Sequence, residues 1–206
     1  MKLKSLFLAA FTLLALSQVA CAEAAAPATA SNFKEGTDYA VIDGAKGVEK
    51  PQVIEFFSYT CPHCYNIEGF VHKWLPQKPE GIEFVQVPVF LGNVPHLTQG
   101  YYTAEVLGVL DQVHMDIFHQ WHRDKKIIRT KKDLYPIFEK AGIDKETFDK
   151  AYNSFAVASK VQHAKKMVRD FKVTSFPRFV INQKYEVKSY QQLDKLLNEL
   201  PLEKLK

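Results

Sequence analysis

The run Val53-Ile54-Glu55-Phe56-Phe57 is almost continuously apolar and continues to Tyr59. It predicts a strand over 53–59, placed centrally in a sheet and covered on both faces. Downstream, Ile67, Phe70, Val71, Trp74 and Leu75 recur at helical spacing and stop at Pro76. Gly81 introduces a second strand over 82–90, in which Pro88 marks an edge or a strand end. From about Pro95 to Phe171 the pattern is helical throughout, with helices expected at 96–110, 112–124, 131–141, 144–153 and 155–171. Thr130 with Asp133 reads as a helix start, Gly142 as a helix end, and Asp144 as the next cap. Strand patterns return at 178–182 and 184–188 around an Asn182-Gln183 turn, and Leu193, Leu196, Leu197 and Leu200 form an amphipathic helix.

The order is therefore β-α-β, a long helical block, then β-β-α. It predicts a small α/β domain in two parts, 33–94 and 166–206, with an all-helical domain, 95–165, inserted between them. Ahead of these lies a segment of another kind. Lys2 and Lys4 precede an 11-residue apolar run, Leu6 to Leu16, and then Ala20-Cys21-Ala22. The run is short for a membrane span, which takes roughly 20 residues. Residues 1–22 fit a cleaved signal peptide, with Ala24 and Ala26 as further cleavage points, and Ala-rich 23–32 fits a flexible leader. A retained anchor helix and lipidation at Cys21 are the alternatives.

Charge and cysteine count narrow the function. The whole chain carries +4, and loss of Lys2 and Lys4 leaves +2, because residues 1–22 hold no acid. That is not the charge of a nucleic-acid-binding protein. Loss of Cys21 leaves two cysteines, Cys61 and Cys64. A bridge between them closes too short a loop to constrain the unfolded chain much, so the pair is there for chemistry. Roughly 180 remaining residues suit one domain, or one domain with an insertion.

Cys61-Pro62-His63-Cys64 falls at the join of the first strand and the first helix. There the helix start stabilises a thiolate on Cys61, the expected nucleophile, with Cys64 one turn inside as its resolving partner. His63 can offer Cys61 a hydrogen bond or a positive charge. Each pKa unit taken off that thiol corresponds to ~1.4 kcal/mol, or ~30 mV for a two-electron couple, so these neighbours set the redox direction. A metal site is the competing use of two thiols, but structural zinc takes four ligands and no second C-x-x-C exists. His114, His119 and His122 read as a polar helix face. Glu55 is an acid inside an apolar strand, and burial would raise its pKa.

The chain resembles the DsbA family of bacterial periplasmic thiol oxidases, within the thioredoxin superfamily. The matching residues are Glu55-Phe56-Phe57-Ser58, Cys61-Pro62-His63-Cys64-Tyr65, Glu68, and Phe176-Pro177 ahead of Phe179-Val180-Ile181-Asn182. The resemblance implies a thioredoxin-like fold with an inserted helical domain. It implies that Cys61, Cys64, His63 and Glu55 are catalytic, with Glu55 moving protons to and from Cys64. Glu68 is a weaker match, and reads nearly as well as a solvated acid in the first helical turn. Pro62, Phe176 and Pro177 become the substrate-binding residues, with Pro177 cis and facing the cysteines. No cofactor beyond the redox-active disulfide, and no metal, is implied. Implied partners are unfolded exported proteins with free thiols and a quinone-linked inner-membrane oxidase, for a monomer in the periplasm. Two departures stand out: Gln86 occupies a position where the family often has lysine, and Phe176 is bulkier than the usual residue before the proline.

These readings converge on an enzyme that donates the Cys61–Cys64 disulfide to exported proteins. A disulfide isomerase or reductase of the same fold is one rival, although no dimerisation segment is present. A non-catalytic module that binds unfolded chains around Phe176 and Pro177 is the other.

Overall fold

The computed structural model of the chain describes residues 33–199. The expected signal peptide, leader and Leu200 lie outside them. The sheet is built from β1 (Tyr39–Val41), β2 (Gln52–Phe57), β3 (Glu83–Pro88), β4 (Arg178–Ile181) and β5 (Tyr185–Val187), in the order β1-β5-β4-β2-β3. The β2–β3 pair is parallel and the other pairs are antiparallel. β2 is internal, as its apolar run predicts, and Val53, Ile54, Phe56 and Phe57 are fully buried. Pro88 is both on an edge strand and at its end, where its missing N–H breaks no ladder.

Helix α1 (Pro62–Trp74) follows β2 directly. With α7 (Leu193–Glu199) it covers one face of the sheet: Ile67, Val71, Trp74, Leu193, Leu196 and Leu197 pack with Val53, Phe179 and Ile181. Ile54, Phe56 and Val180 belong to a second apolar cluster, shared with the helical block. That block runs between β3 and β4 as α2 (Pro95–Val106), α3 (Leu110–Phe118), α4 (Lys131–Lys140), α5 (Lys145–Tyr152) and α6 (Phe155–Asp170). Because Phe57, Tyr101, Phe118, Phe138 and Phe148 all join this cluster, the sheet end that carries the cysteines rests on the helical block.

Local signals end the elements where expected. Thr130 and Asp133 form a capping box, Asp144 accepts from the Thr147 N–H, and Gly142 has φ +83°. Asn182 and Gln183 both take positive φ, 52° and 57°, giving the tight turn between β4 and β5. Three features differ from the expectation. α2 stops at Val106, ahead of Gly108 at φ +69°. The helix expected to run on to 124 instead leaves α-geometry after Phe118 and makes one π-helical turn, His119–Arg123. Strand β1 was not expected at all; it exists through its pairing with β5.

Candidate active site

The turn from β2 into α1 sets the geometry of the cysteine pair. Cys61 is the N-cap of α1, with extended backbone (φ −88°, ψ 119°), and Pro62 occupies the first helical position, where a missing N–H is tolerated. The Cys64 N–H lies 3.4 Å from Cys61 Sγ, so a helix-start amide faces the sulfur that caps it. Cys64 Sγ in turn accepts from the Ser58 N–H at 3.5 Å. Both thiols are free, Cys61 at 7% exposure and Cys64 fully enclosed. Burial, above all, pushes the Cys64 thiol far up, which keeps it protonated. Pro62 and His63 project outward as exposed residues. Among the described residues, His63 makes no hydrogen bond to Cys61, so in this dithiol form any influence it has acts through space.

The second wall comes from the β4 approach. Phe176–Pro177 is a cis peptide, and the Phe176 carbonyl accepts from Cys61 Sγ at 3.6 Å. Cys61 and Phe176, 115 residues apart in sequence, therefore meet at one sulfur, beside the cis proline. Phe176 is half-buried against the core shared with the helical block.

Beneath the cysteines lies a polar cluster. Glu55 is fully buried, and burial, reinforced by the nearby Glu68 charge, pushes its carboxyl up to about 8. Gln86 Nε2 donates to Glu55 Oε2 at 2.9 Å and to Glu68 Oε1 at 3.3 Å. Glu68 is 5% exposed and sits past the first turn of α1, which corrects its reading as a solvated first-turn acid. The expectation of a polar face for His114 also fails. Its ring is 8% exposed, at ion-pair distance from Glu68 Oε1 (3.2 Å from Nε2), and its Nδ1 is 2.8 Å from the Tyr59 hydroxyl. The ring packs edge-on against Phe57 and Phe118, so α3 turns this histidine inward. His122, on the π-helical turn, stacks on Tyr65 at 5.0 Å and donates through Nε2 to the Tyr59 carbonyl at 2.9 Å. Burial lowers its pKa, so it stays neutral there. The sequence holds a signal for both histidines: they are eight residues apart and thus near one face of a helix. Nothing in it tells an inward face from a solvated one. Among the described residues, no group of three or more His, Cys, Asp or Glu side chains could hold a metal ion.

Comparison with known proteins fits this geometry. The model of the DSBA-like thioredoxin domain matches residues 77–201, downstream of the cysteine pair. The thiol:disulfide interchange protein DsbA of Pseudomonas aeruginosa is 33% identical over 162 residues, covering 77% of each chain. The chain belongs to the DsbA-like thioredoxin domain family. The crystal structure of Pseudomonas aeruginosa DsbA superposes with a TM-score of 0.73 at 30% identity, covering 82% of this chain and 93% of that one. Proteus mirabilis DsbA, solved with a non-covalently bound peptide PWATCDS, superposes with a TM-score of 0.67 at 31% identity, covering 82% and 94%. With DsbA relatives across most of its length and a C-x-x-C at a helix start, the protein is a thiol:disulfide oxidoreductase. The DsbA superpositions also bear out the expected thioredoxin-like fold.

Proposed function

We propose that the protein is an exported oxidase that donates the Cys61–Cys64 disulfide to folding proteins. The observation that carries this reading is Cys61 itself: a helix N-cap whose sulfur faces the Cys64 N–H and, across the site, the Phe176 carbonyl beside cis-Pro177. In the oxidised enzyme a substrate thiolate attacks Cys61 Sγ. The Cys61–Cys64 bond breaks, its electron pair leaves on Cys64 sulfur, and a proton from Glu55 converts that thiolate to thiol. A second substrate thiolate then attacks the substrate sulfur of the mixed disulfide and Cys61 leaves as thiolate. The substrate has lost two electrons and the enzyme has gained them. The thiolate left on Cys61 is favoured by the helix-start amides, which stabilises the reduced enzyme and drives disulfide donation.

Glu55 suits its task because a buried carboxyl that titrates near 8 holds a proton at neutral pH and can still release it. Pro62, Phe176 and Pro177 form the substrate face, where an extended peptide pairs with backbone next to the cis peptide. The peptide-bound Proteus mirabilis relative supports that use of the fold. The partners are exported proteins with free thiols and a quinone-linked membrane oxidase that restores the disulfide to a monomeric enzyme. The compartment is the periplasm, reached by a signal peptide over 1–22, and residues 95–165 form a helical insertion. Intact mass of the exported protein checks the cleavage.

The deciding experiment is the reduction potential of the Cys61–Cys64 pair, measured by equilibration with glutathione. A potential well above that of the glutathione pool is expected of a disulfide donor. One near or below that of a thioredoxin would make the protein a reductant and overturn the direction.

A further inference from the structure

Behind the cysteine pair a row of polar side chains leads away from Glu55, and apart from Glu55 thiol exchange does not itself touch it. Tyr59 OH is 2.8 Å from His114 Nδ1, His114 Nε2 is 3.2 Å from Glu68 Oε1, and Gln86 Nε2 joins Glu68 Oε1 to Glu55 Oε2. Tyr59, His114, Glu68 and Glu55 are at 2%, 8%, 5% and 0% exposure. A buried phenol needs an acceptor, and among the described residues His114 Nδ1 is the partner of the Tyr59 hydroxyl. With Nδ1 accepting, the imidazole carries its own proton on Nε2, on the side of Glu68. The far end of the row meets solvent. Glu68, Gln86 and His114 line a surface cleft of about 260 Å³ between α1, β3 and α3, and neither cysteine contributes to its walls.

We propose that His114 is a positioning residue for disulfide exchange: set between the Tyr59 hydroxyl and the Glu68 carboxylate, it offsets the Glu68 charge and so sets how readily Glu55 gives up its proton. This rests on the reading that Glu55 protonates Cys64. When the Cys61–Cys64 bond breaks, Glu55 gives its proton to the Cys64 thiolate. The carboxylate left behind feels less of the Glu68 charge because the imidazole lies 3.2 Å from Glu68 Oε1, and it takes its next proton from solvent. The titratable groups that contact His114 are Tyr59 before α1, Glu68 on α1 and Tyr101 on α2, and His72 on α1 and Asp111 on its own helix line the same cleft.

The test is the pH dependence of the rate at which dithiothreitol reduces the oxidised protein, corrected for the dithiothreitol thiolate. Wild type is expected to show an inflection that Glu55→Gln removes. In His114→Phe, Glu68 keeps the Gln86 amide but loses the imidazole, and its charge bears harder on Glu55, so the inflection moves up by about half a pH unit or more. In Glu68→Gln it moves down, and adding His114→Phe moves it no further. A merely structural histidine would lower stability and leave the inflection in place. An unmoved inflection in His114→Phe overturns the proposal and leaves the Glu55 reading standing. An inflection that survives in Glu55→Gln overturns the Glu55 reading and the proposal with it. Should His114→Phe fail to fold, long-range 15N spectra of the wild-type imidazole decide: a proton on Nε2 is expected, and a bare Nε2 overturns the proposal.

Discussion

Gln86 and Glu55 are register partners across the parallel β2–β3 pair, and the Gln86 amide donates to the Glu55 carboxyl at 2.9 Å. A lysine there would supply a counter-charge; an amide supplies a dipole, so burial prevails and the carboxyl rises from 4.5 to about 8. The unfolded chain releases this proton near 4.5 and the folded chain keeps it to about 8. Between those values the folded state binds more protons, so stability falls as pH rises, by on the order of 3 kcal/mol at pH 7. Glu55→Gln keeps the hydrogen bond and removes the ionisation. Guanidinium unfolding of the dithiol form should give a wild-type curve that declines from pH 5 to 8 and a flatter one for the variant. Parallel curves would show that Glu55 is ionised without cost.

The same site makes the two thiols chemically unequal. Cys61 caps the helix at the surface of the pair, whereas Cys64 is enclosed and its thiol is pushed far up. Iodoacetamide at pH 7 should therefore alkylate Cys61 at least about tenfold faster than Cys64, whose enclosed thiol stays protonated. Peptide mapping by mass spectrometry reads the ratio. Equal labelling would remove the assignment of Cys61 as nucleophile.

Phe176 offers its carbonyl to Cys61 and its ring to the core, so backbone and side chain have separate roles. Phe176→Thr should leave reduction by dithiothreitol within about twofold, because the carbonyl survives, and should change the KM for a cysteine-containing peptide by about tenfold, the value of roughly 1.4 kcal/mol of lost contact. Stopped-flow rates with both reductants separate the effects. Equal slowing with both would place the Phe176 ring in the chemistry and not in peptide binding.

These contrasts also mark what the sequence could disclose. β2, α1 and the cysteine pair were legible because each rests on a local rule: an apolar run, a 3.6-residue period, and two thiols one turn apart at a helix start. Glu55 was legible as an acid inside an apolar strand. β1 was not, because Tyr39-Ala40-Val41 has too few residues to show a period and is a strand only by virtue of β5. The inward turn of His114 depends on Phe57 and Tyr101, which reach it from β2 and α2, beside Phe118 of its own helix. Helical periodicity groups residues on a face; it does not say what the face meets. The π-helical turn escaped for a related reason, since its residues are ordinary helix formers and the i→i+5 bond from Asp124 N–H to the His119 carbonyl is set by packing.

That turn carries a prediction of its own. His122 Nε2 donates to the Tyr59 carbonyl, two residues before Cys61, while its ring stacks on Tyr65, one residue after Cys64. It thus braces the cysteine turn from both sides. His122→Phe preserves a ring for the stack and removes the donor, leaving the carbonyl of a residue that is 2% exposed without a partner, a loss of about 1–3 kcal/mol. Burial lowers the His122 pKa in the folded state, so as pH falls below 6.5 the unfolded chain takes up a proton that the folded chain refuses. Wild type loses stability over that range and the phenylalanine variant does not. The stability gap should therefore be widest above pH 7 and narrow toward pH 5, as read by denaturant midpoints at each pH. A gap that stays constant would mean that His122 titrates alike in both states and that only its hydrogen bond matters. A gap near zero at every pH would mean that the cysteine turn holds its shape without the His122 hydrogen bond.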